Sequence, residues 1–386
     1  MKILFVTRGF PSEKDPMNGN YEAVQAKAIA AKGHEVSVIA IDWRNLLHIF
    51  ESKKVVHRVV DGINVYECNR IKPSIPHVYL PRLEKRVKQW QFKRIFQMYL
   101  KEMAMPDIVH AHIVIFAAPA IILKNEFHLP FVITEHWSRV FENNTLKRIL
   151  NDMFAYKDAD AVISVSEVLA NSIKAKCGID SLVINNMVTN RFFESRKNVR
   201  QGNSFTFIAV GGLRRIKRFD LLVEAFALCH FPLNVSLEIV GEGEERHLIE
   251  TKIHEYSVSR QVKLLGLKTS EEVNDLLCQS DCFVLSSRLE TFSIVLIEAM
   301  AKGLPVIATK CGGPETFIRA EDGLLVDKEN AEKLAKAMKY MKNHSHEYNP
   351  EEIRQHCYDN FSQNVIANKI IDIYKQVIKK NSNEVH

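Results

Sequence analysis

Residues 286–302 read SSRLETFSIVLIEAMAK. The apolar run Cys282–Ser286 leads into this stretch and a second, Pro305–Thr309, follows it. The order strand, loop, helix, strand is one parallel βα unit. The helix, expected near Ser293–Lys302, is apolar around Glu298, and Glu298 lies eight positions after Glu290 in the preceding loop. A carboxylate in an apolar stripe is costly to bury unless it is paired or hydrogen-bonded. A ribose hydroxyl would satisfy it, and so would a salt bridge to a neighbouring element. The amides of Phe292, Ser293 and Ile294 open the helix, and an open helix N-terminus suits a phosphate.

The same alternation runs outward in both directions. Towards the N-terminus, Phe205–Val210, Val235–Val240 and Val262–Leu264 read as strands, with helices near Phe219–Cys229, Glu244–Tyr256 and Ser270–Gln279. After the first of these strands comes VGGLRRIKRFD (210–220). Gly211 and Gly212 permit a sharp bend or a close ligand approach. Arg214, Arg215, Lys217 and Arg218 place four cations at that edge, which suits a diphosphate. CGGPE (311–315) adds another glycine pair after Pro305–Thr309. VGEGEE (240–245) has G-x-G but no third glycine, and it does not follow the domain's first strand, so it is no dinucleotide fingerprint.

Residues 194–204 (ESRKNVRQGNS) are polar and aperiodic, as a linker is. Before them lies another α/β series: strands Lys2–Thr7, Glu35–Ile41, Ile108–Ala111, Phe131–Thr134 and Ala161–Val165, a helix near Tyr21–Lys32, and a hairpin Val55–Val60/Ile63–Cys68 turned at Asp61-Gly62. Pro11, Pro16 and Gly19 mark a loop after the first strand. The expected division is 1–195, 196–360 and a C-terminal helix, 361–386, that could belong to either half, packing back on the first domain being one of the two.

Composition agrees with two globular cores. The chain has 386 residues, 46% hydrophobic and 25% charged, with a formal net charge of +6. That charge density is far below a dedicated nucleic-acid binder's and is compatible with anionic substrates or an anionic membrane. The apolar run Ile113–Leu123 is too short to span a bilayer, and Arg8 ends the N-terminal apolar stretch too early for a secretory signal. Seven scattered cysteines without a C-x-x-C pair read as reduced thiols in a cytoplasmic setting, not as a zinc site. His110 and His112 form an H-x-H with no third clustered ligand, so no metal is expected. Residues 82–101 hold seven basic residues against Glu84, interleaved with Trp90, Phe92, Phe96 and Tyr99. Such a helix lies on an anionic membrane or packs its aromatics inward while its lysines reach solvent.

The motifs together resemble the retaining glycosyltransferases of family four. The resemblance rests on Gly211-Gly212-Leu213 with Lys217, on Gly241-Glu242-Gly243, on Leu265-Gly266, on Glu290 to Glu298 running into Ala299-Met300-Ala301-Lys302-Gly303-Leu304-Pro305-Val306, and on Gly312-Gly313-Pro314-Glu315. More loosely, Gly19, Gly33-His34-Glu35-Val36, His110-Ala111-His112 and Thr134-Glu135-His136 match the family's first half. Two departures stand out. Gly212 occupies a position where the family has arginine, and Glu290-Thr291-Phe292-Ser293 lacks both glycines of the family's E-G-F-G.

The resemblance implies the GT-B fold, two Rossmann-like parallel-sheet domains facing one cleft, with a nucleotide-sugar on the second domain and a glycan or lipid-linked saccharide acceptor on the first. It implies donor contacts at Gly19, Gly211, Gly212, Arg215, Lys217, Gly241, Leu267, Phe292, Ser293, Ile294 and Glu298, acceptor contacts at His110 and His112, and catalytic roles for His136, Glu290 and Lys217. Neither metal nor cofactor is implied, and no nucleic acid. Retention in this family is usually explained by front-face attack through an oxocarbenium-like state. The implied setting is polysaccharide assembly at the inner membrane face. A sugar-nucleotide epimerase and a non-catalytic GT-B binding subunit are the alternatives. An NAD-dependent oxidoreductase is disfavoured, because no G-x-G-x-x-G follows the first strand.

Overall fold

The computed structural model describes residues 1–12, 15, 18–44, 54–71, 81–137, 152–194 and 204–384. They form two compact units, Met1–Asn185 with Gln363–His386, and Asn186–Ser362. Pro16 and most of the polar stretch 194–204 lie outside the described residues.

The first unit is built on β1 (Lys2–Thr7), α1 (Asn20–Ala30), β2 (Glu35–Arg44), β3 (Val56–Val60), β4 (Ile63–Ile71), α2 (Pro81–Tyr99), β5 (Ile108–His112), α3 (Val114–Ala120), α4 (Ile122–Phe127), β6 (Phe131–Glu135), α5 (Phe154–Asp158), β7 (Ala161–Ser164), α6 (Glu167–Cys177) and β8 (Leu182–Val183). The sheet order is β3-β4-β2-β1-β5-β6-β7-β8, parallel throughout except for the antiparallel pair β3/β4. Central strands read as continuous Val, Ile, Leu and Phe because helices cover both faces of a parallel sheet. The hairpin turns at Asp61-Gly62, both with positive φ, as a two-residue primed turn requires.

α2 separates the two sides of the 82–101 stretch. Phe92, Ile95, Phe96 and Tyr99 are buried, and Lys88 pairs inward with Glu84 at 2.9 Å. Of the aromatics interleaved with the cations, only Trp90 faces outward.

The second unit comprises β9 (Phe205–Val210), α7 (Phe219–Leu228), β10 (Val235–Val240), α8 (Arg246–Glu255), β11 (Val262–Leu264), α9 (Ser270–Cys278), β12 (Cys282–Leu285), α10 (Ile294–Ala301), β13 (Val306–Thr309), β14 (Gly323–Val326), α11 (Ala331–His344) and α12 (Pro350–Phe361). Its all-parallel order is β11-β10-β9-β12-β13-β14. Phe207, Leu222, Phe226, Leu237, Ile239 and Met338 centre its core. The final helix, α13 (Gln363–Glu384), belongs to the first unit and packs on α1.

Candidate active site

The loops leaving β10, β9, β12 and β13 share one edge of the second sheet, the carboxyl edge where open α/β sheets bind ligands. Backbone meets backbone there. A Cβ on Gly241 would sit 2.0 Å from the Gly211 carbonyl oxygen, and one on Gly313 would sit 2.5 Å from Phe292 Cα. Only glycine permits these approaches.

Glu290 and Lys217 meet in this edge. Lys217 Nζ is 2.6 Å from Glu290 Oε1, which also accepts from the Ser287 hydroxyl at 2.7 Å. The Glu290 backbone pairs with Cys311 and Gly313, and Ser286 holds the Lys217 carbonyl at 2.8 Å. The two catalytic candidates from separate βα loops are thus clamped together.

The start of α10 is left open. The N–H groups of Phe292, Ser293 and Ile294 donate to nothing among the described residues. The Phe292 ring is fully buried against Phe317 and Phe361, so only its backbone faces the edge. Ser293 has φ 83° and a buried hydroxyl without a hydrogen-bond partner. Glu298 lies one turn further along α10. It is partly buried and makes no hydrogen bond or ion pair among the described residues. Burial pushes its carboxyl up to about 8, with the Arg191 charge opposing.

The cations divide into two sets. Arg218 makes two bonds to Asp220, at 3.0 and 3.1 Å, and an ion pair with Glu329. Arg288 also grips Glu329, at 2.8 Å. Arg215 lines a separate cavity of about 510 Å³ with these same acids. Arg214 instead lies across the diglycine turn, its Nε 3.7 Å from where a Gly212 Cβ would stand, while Lys217 Cε is 3.8 Å from the equivalent point on Gly211. Arg214 makes no ion pair among the described residues. Arg215, the expected donor contact, faces that cavity and, like Arg214, makes no ion pair among the described residues. Leu267, on the loop after β11, is 69% exposed.

In the first unit, β5 and β6 pair in register, with His112 opposite Thr134. His110 is completely buried, its Nδ1 2.6 Å from the Tyr374 hydroxyl and its Nε2 2.7 Å from Thr134 Oγ1. Burial pulls it down to about 3. With both nitrogens engaged and no exposed surface, His110 has nothing to offer an acceptor. It fastens α13 to the sheet, which corrects the role expected for it. His112 is equally buried, with Nδ1 3.2 Å from His136 Nε2 and Nε2 without a hydrogen-bond partner. Its ring stacks on that of His136, with centroids 5.4 Å apart. His136 itself is half-buried. Glu135, silent in the sequence reading, accepts from Val114 N, His136 N, Trp137 N and the Tyr156 hydroxyl at 2.7–2.9 Å. Burial raises its pKa while these four donors oppose the shift.

Gly19 caps α1 with φ 71°, and a Cβ there would lie 2.1 Å from the Gly9 carbonyl oxygen, so the loop's own crossing demands glycine. Among the described residues, no group of three or more His, Cys, Asp or Glu is placed to hold a metal ion.

A parallel sheet carrying a clamped Lys–Glu pair and an open helix start at its carboxyl edge is the arrangement that the resemblance to GT-B glycosyltransferases leads one to expect of the second unit. Residues 190–381 match the family described as glycosyl transferases group 1, and residues 22–190 match Glycosyltransferase Family 4. The chain is 30% identical to TuaC, a glycosyltransferase assigned to teichuronic acid biosynthesis in Bacillus subtilis, over 88% of each chain. Its fold is similar to a sucrose-phosphate synthase from Thermosynechococcus elongatus, with a TM-score of 0.79, 21% identity and coverage of 98% and 99%. It is also similar to HepE from Anabaena in complex with UDP and glucose, with a TM-score of 0.72, 19% identity and coverage of 97% and 99%. The chain belongs to the family-four glycosyltransferases.

Proposed function

We propose that this chain moves a hexose from a nucleotide-sugar to a glycan or lipid-linked saccharide, with retention of configuration, in polysaccharide assembly on the inner membrane face. The observation that carries the donor half is the Lys217–Glu290 pair at 2.6 Å beside three amides that donate to nothing among the described residues.

Breaking a glycosidic bond to a diphosphate builds negative charge on the departing phosphate. Preorganised donors aimed at that charge lower the barrier without reorganising. The amides of Phe292, Ser293 and Ile294 and the Lys217 ammonium fill this role, and Arg214 adds the second cation. Gly211, Gly212 and Gly241 keep the turn thin enough for a phosphate to approach. Glu298 accepts the ribose hydroxyls, and Leu267 offers apolar surface to the base. Glu290, oriented by Ser287 and Lys217, faces the transferred sugar or its charged centre. His136 binds a sugar hydroxyl, and His112 fixes its ring. The reading uses no metal, no cofactor and no covalent protein nucleophile.

The test is a thermal-shift panel of nucleoside diphosphates, with UDP first because HepE binds it in its solved complex, followed by nucleotide release from the matching nucleotide-sugar. Release that requires an added saccharide acceptor supports transfer. Consumption without acceptor means epimerisation, and no response to any nucleotide overturns the reading.

A further inference from the structure

α2 presents an outer face that the first unit's core does not use. Leu83 is 48% exposed, Trp90 56% and Met98 44%. Spacings of seven and eight residues put these three on one side of a helix, along about 22 Å of its length. Exposed Arg82, Lys85, Arg86 and Arg94 flank them. Arg94 stacks over the Trp90 ring at 4.9 Å, and Lys85 lies over the Phe154 ring. The acids near this helix are already engaged elsewhere. Glu84 pairs with Lys88 on the buried side, Lys93 takes Glu126, and Glu102 accepts from Tyr66. Among the described residues, the outer face is thus cationic, without ion pairs for Arg82, Arg86 and Arg94, and carries a tryptophan and two aliphatic side chains in water.

We propose that this face docks on an anionic lipid bilayer, with Trp90, Leu83 and Met98 entering the headgroup boundary and Arg82, Arg86 and Arg94 meeting lipid phosphates. Tryptophan favours that boundary because one end of its ring system is apolar and the other donates a hydrogen bond. Arginine stems reach along the apolar surface while their heads stay with the phosphates. Topology gives the contact a use. β4 runs parallel to β2, so α2 begins at the sheet's carboxyl edge, where β5 and β6 deliver His112 and His136. A membrane-borne acceptor is then presented at the edge where His136 stands. That purpose rests on the proposed transfer reaction, whereas the docking itself does not.

The experiment is co-sedimentation of the full chain with vesicles of phosphatidylcholine alone and with about a third phosphatidylglycerol. Expected are binding to the anionic vesicles only, loss of binding in high salt, and a blue shift of tryptophan emission that Trp90→Phe removes. The triple variant Arg82→Gln/Arg86→Gln/Arg94→Gln should weaken binding about a hundredfold, with the nucleotide thermal shift unchanged. Equal binding to neutral vesicles, undiminished binding by the triple variant, or no vesicle binding overturns the proposal. So does a face that takes nucleic acid or a second copy of this chain instead. The nucleotide thermal shift is read separately, so failure of the docking and failure of the donor reading are distinguishable.

Discussion

In the proposed site, Glu298 would link nucleotide binding to pH. Burial raises its carboxyl to about 8, so at about pH 7 only about one molecule in ten carries the charge. Ribose hydroxyls that donate to the carboxylate favour the ionised form and lower its pKa on binding. Binding therefore drives off a proton, and affinity rises as pH climbs towards 8. A nucleoside diphosphate should bind about tenfold more tightly at about pH 9 than at about pH 7, a gain of about 1.4 kcal/mol. Calorimetric titration in buffers of different ionisation enthalpy reads both the affinity and the released proton. Glu298→Gln should flatten the pH dependence and weaken binding at high pH. Stability moves the other way. A carboxyl whose folded pKa is raised stabilises the fold fully below its unfolded pKa, and that contribution is lost as pH rises through the folded value. Without ligand, then, the Gln variant should melt higher than the wild type above about pH 8. Equal affinity at both pH values with no proton released, or an unchanged pH slope in Glu298→Gln, would refute the reasoning.

Glu290→Gln and Lys217→Ala should each lower turnover by about a hundredfold or more while circular dichroism and melting show a folded chain, because each removes a group aimed at the reacting charges. Arg214→Ala should raise the donor KM about tenfold, whereas Arg215→Ala should leave it nearly unchanged. Gly212→Arg in the Arg214→Ala background should restore the KM, since the space over Gly212 is then open. Turnover should survive exhaustive treatment with EDTA, and its collapse with recovery on adding a divalent cation would place a metal in the reaction. Tyr374→Phe leaves one buried nitrogen of His110 without its partner and should destabilise the first unit by about 1–3 kcal/mol in denaturant unfolding.

The strands and the donor-side loops were legible because they are local. A parallel strand is a short apolar run, and a turn in which residue 241 passes against the Gly211 carbonyl needs glycine at 241. Long-range partners left no such trace. Tyr374 is 264 residues from His110, and its hydroxyl decides whether that histidine faces a ligand or the core. The pattern H-x-H on a strand is the same in either case. α2 shows the same limit, since its six cations and four aromatics in sequence do not say which side faces the core. Lys88 goes inward to Glu84, and Phe92, Phe96 and Tyr99 follow it. β14 and α11 were missed for another reason. Gly323–Val326 is a half-exposed edge strand with too short an apolar run to register, and α11 has a largely charged outer face.

The strongest argument for a site at α10 is what the fold leaves uncompensated there. Ser293 holds a left-handed backbone that glycine would adopt without strain, at a cost of about 1 kcal/mol. Its hydroxyl is buried without a hydrogen bond, although an extended serine at a helix start would cap the first turn. Among the described residues, three amides in a row donate to nothing, and a carboxylate five residues on has no partner. Glycine at 293 and an aliphatic residue at 298 would remove the strain, the orphaned hydroxyl and the desolvated carboxyl together. Core mutation rarely leaves several such costs within six residues unless something outside the chain offsets them. In the proposed reading a bound anion would satisfy the amides and a neighbouring hydroxylated group would satisfy Glu298, so one ligand with both chemistries, a ribose carrying a diphosphate, answers these two.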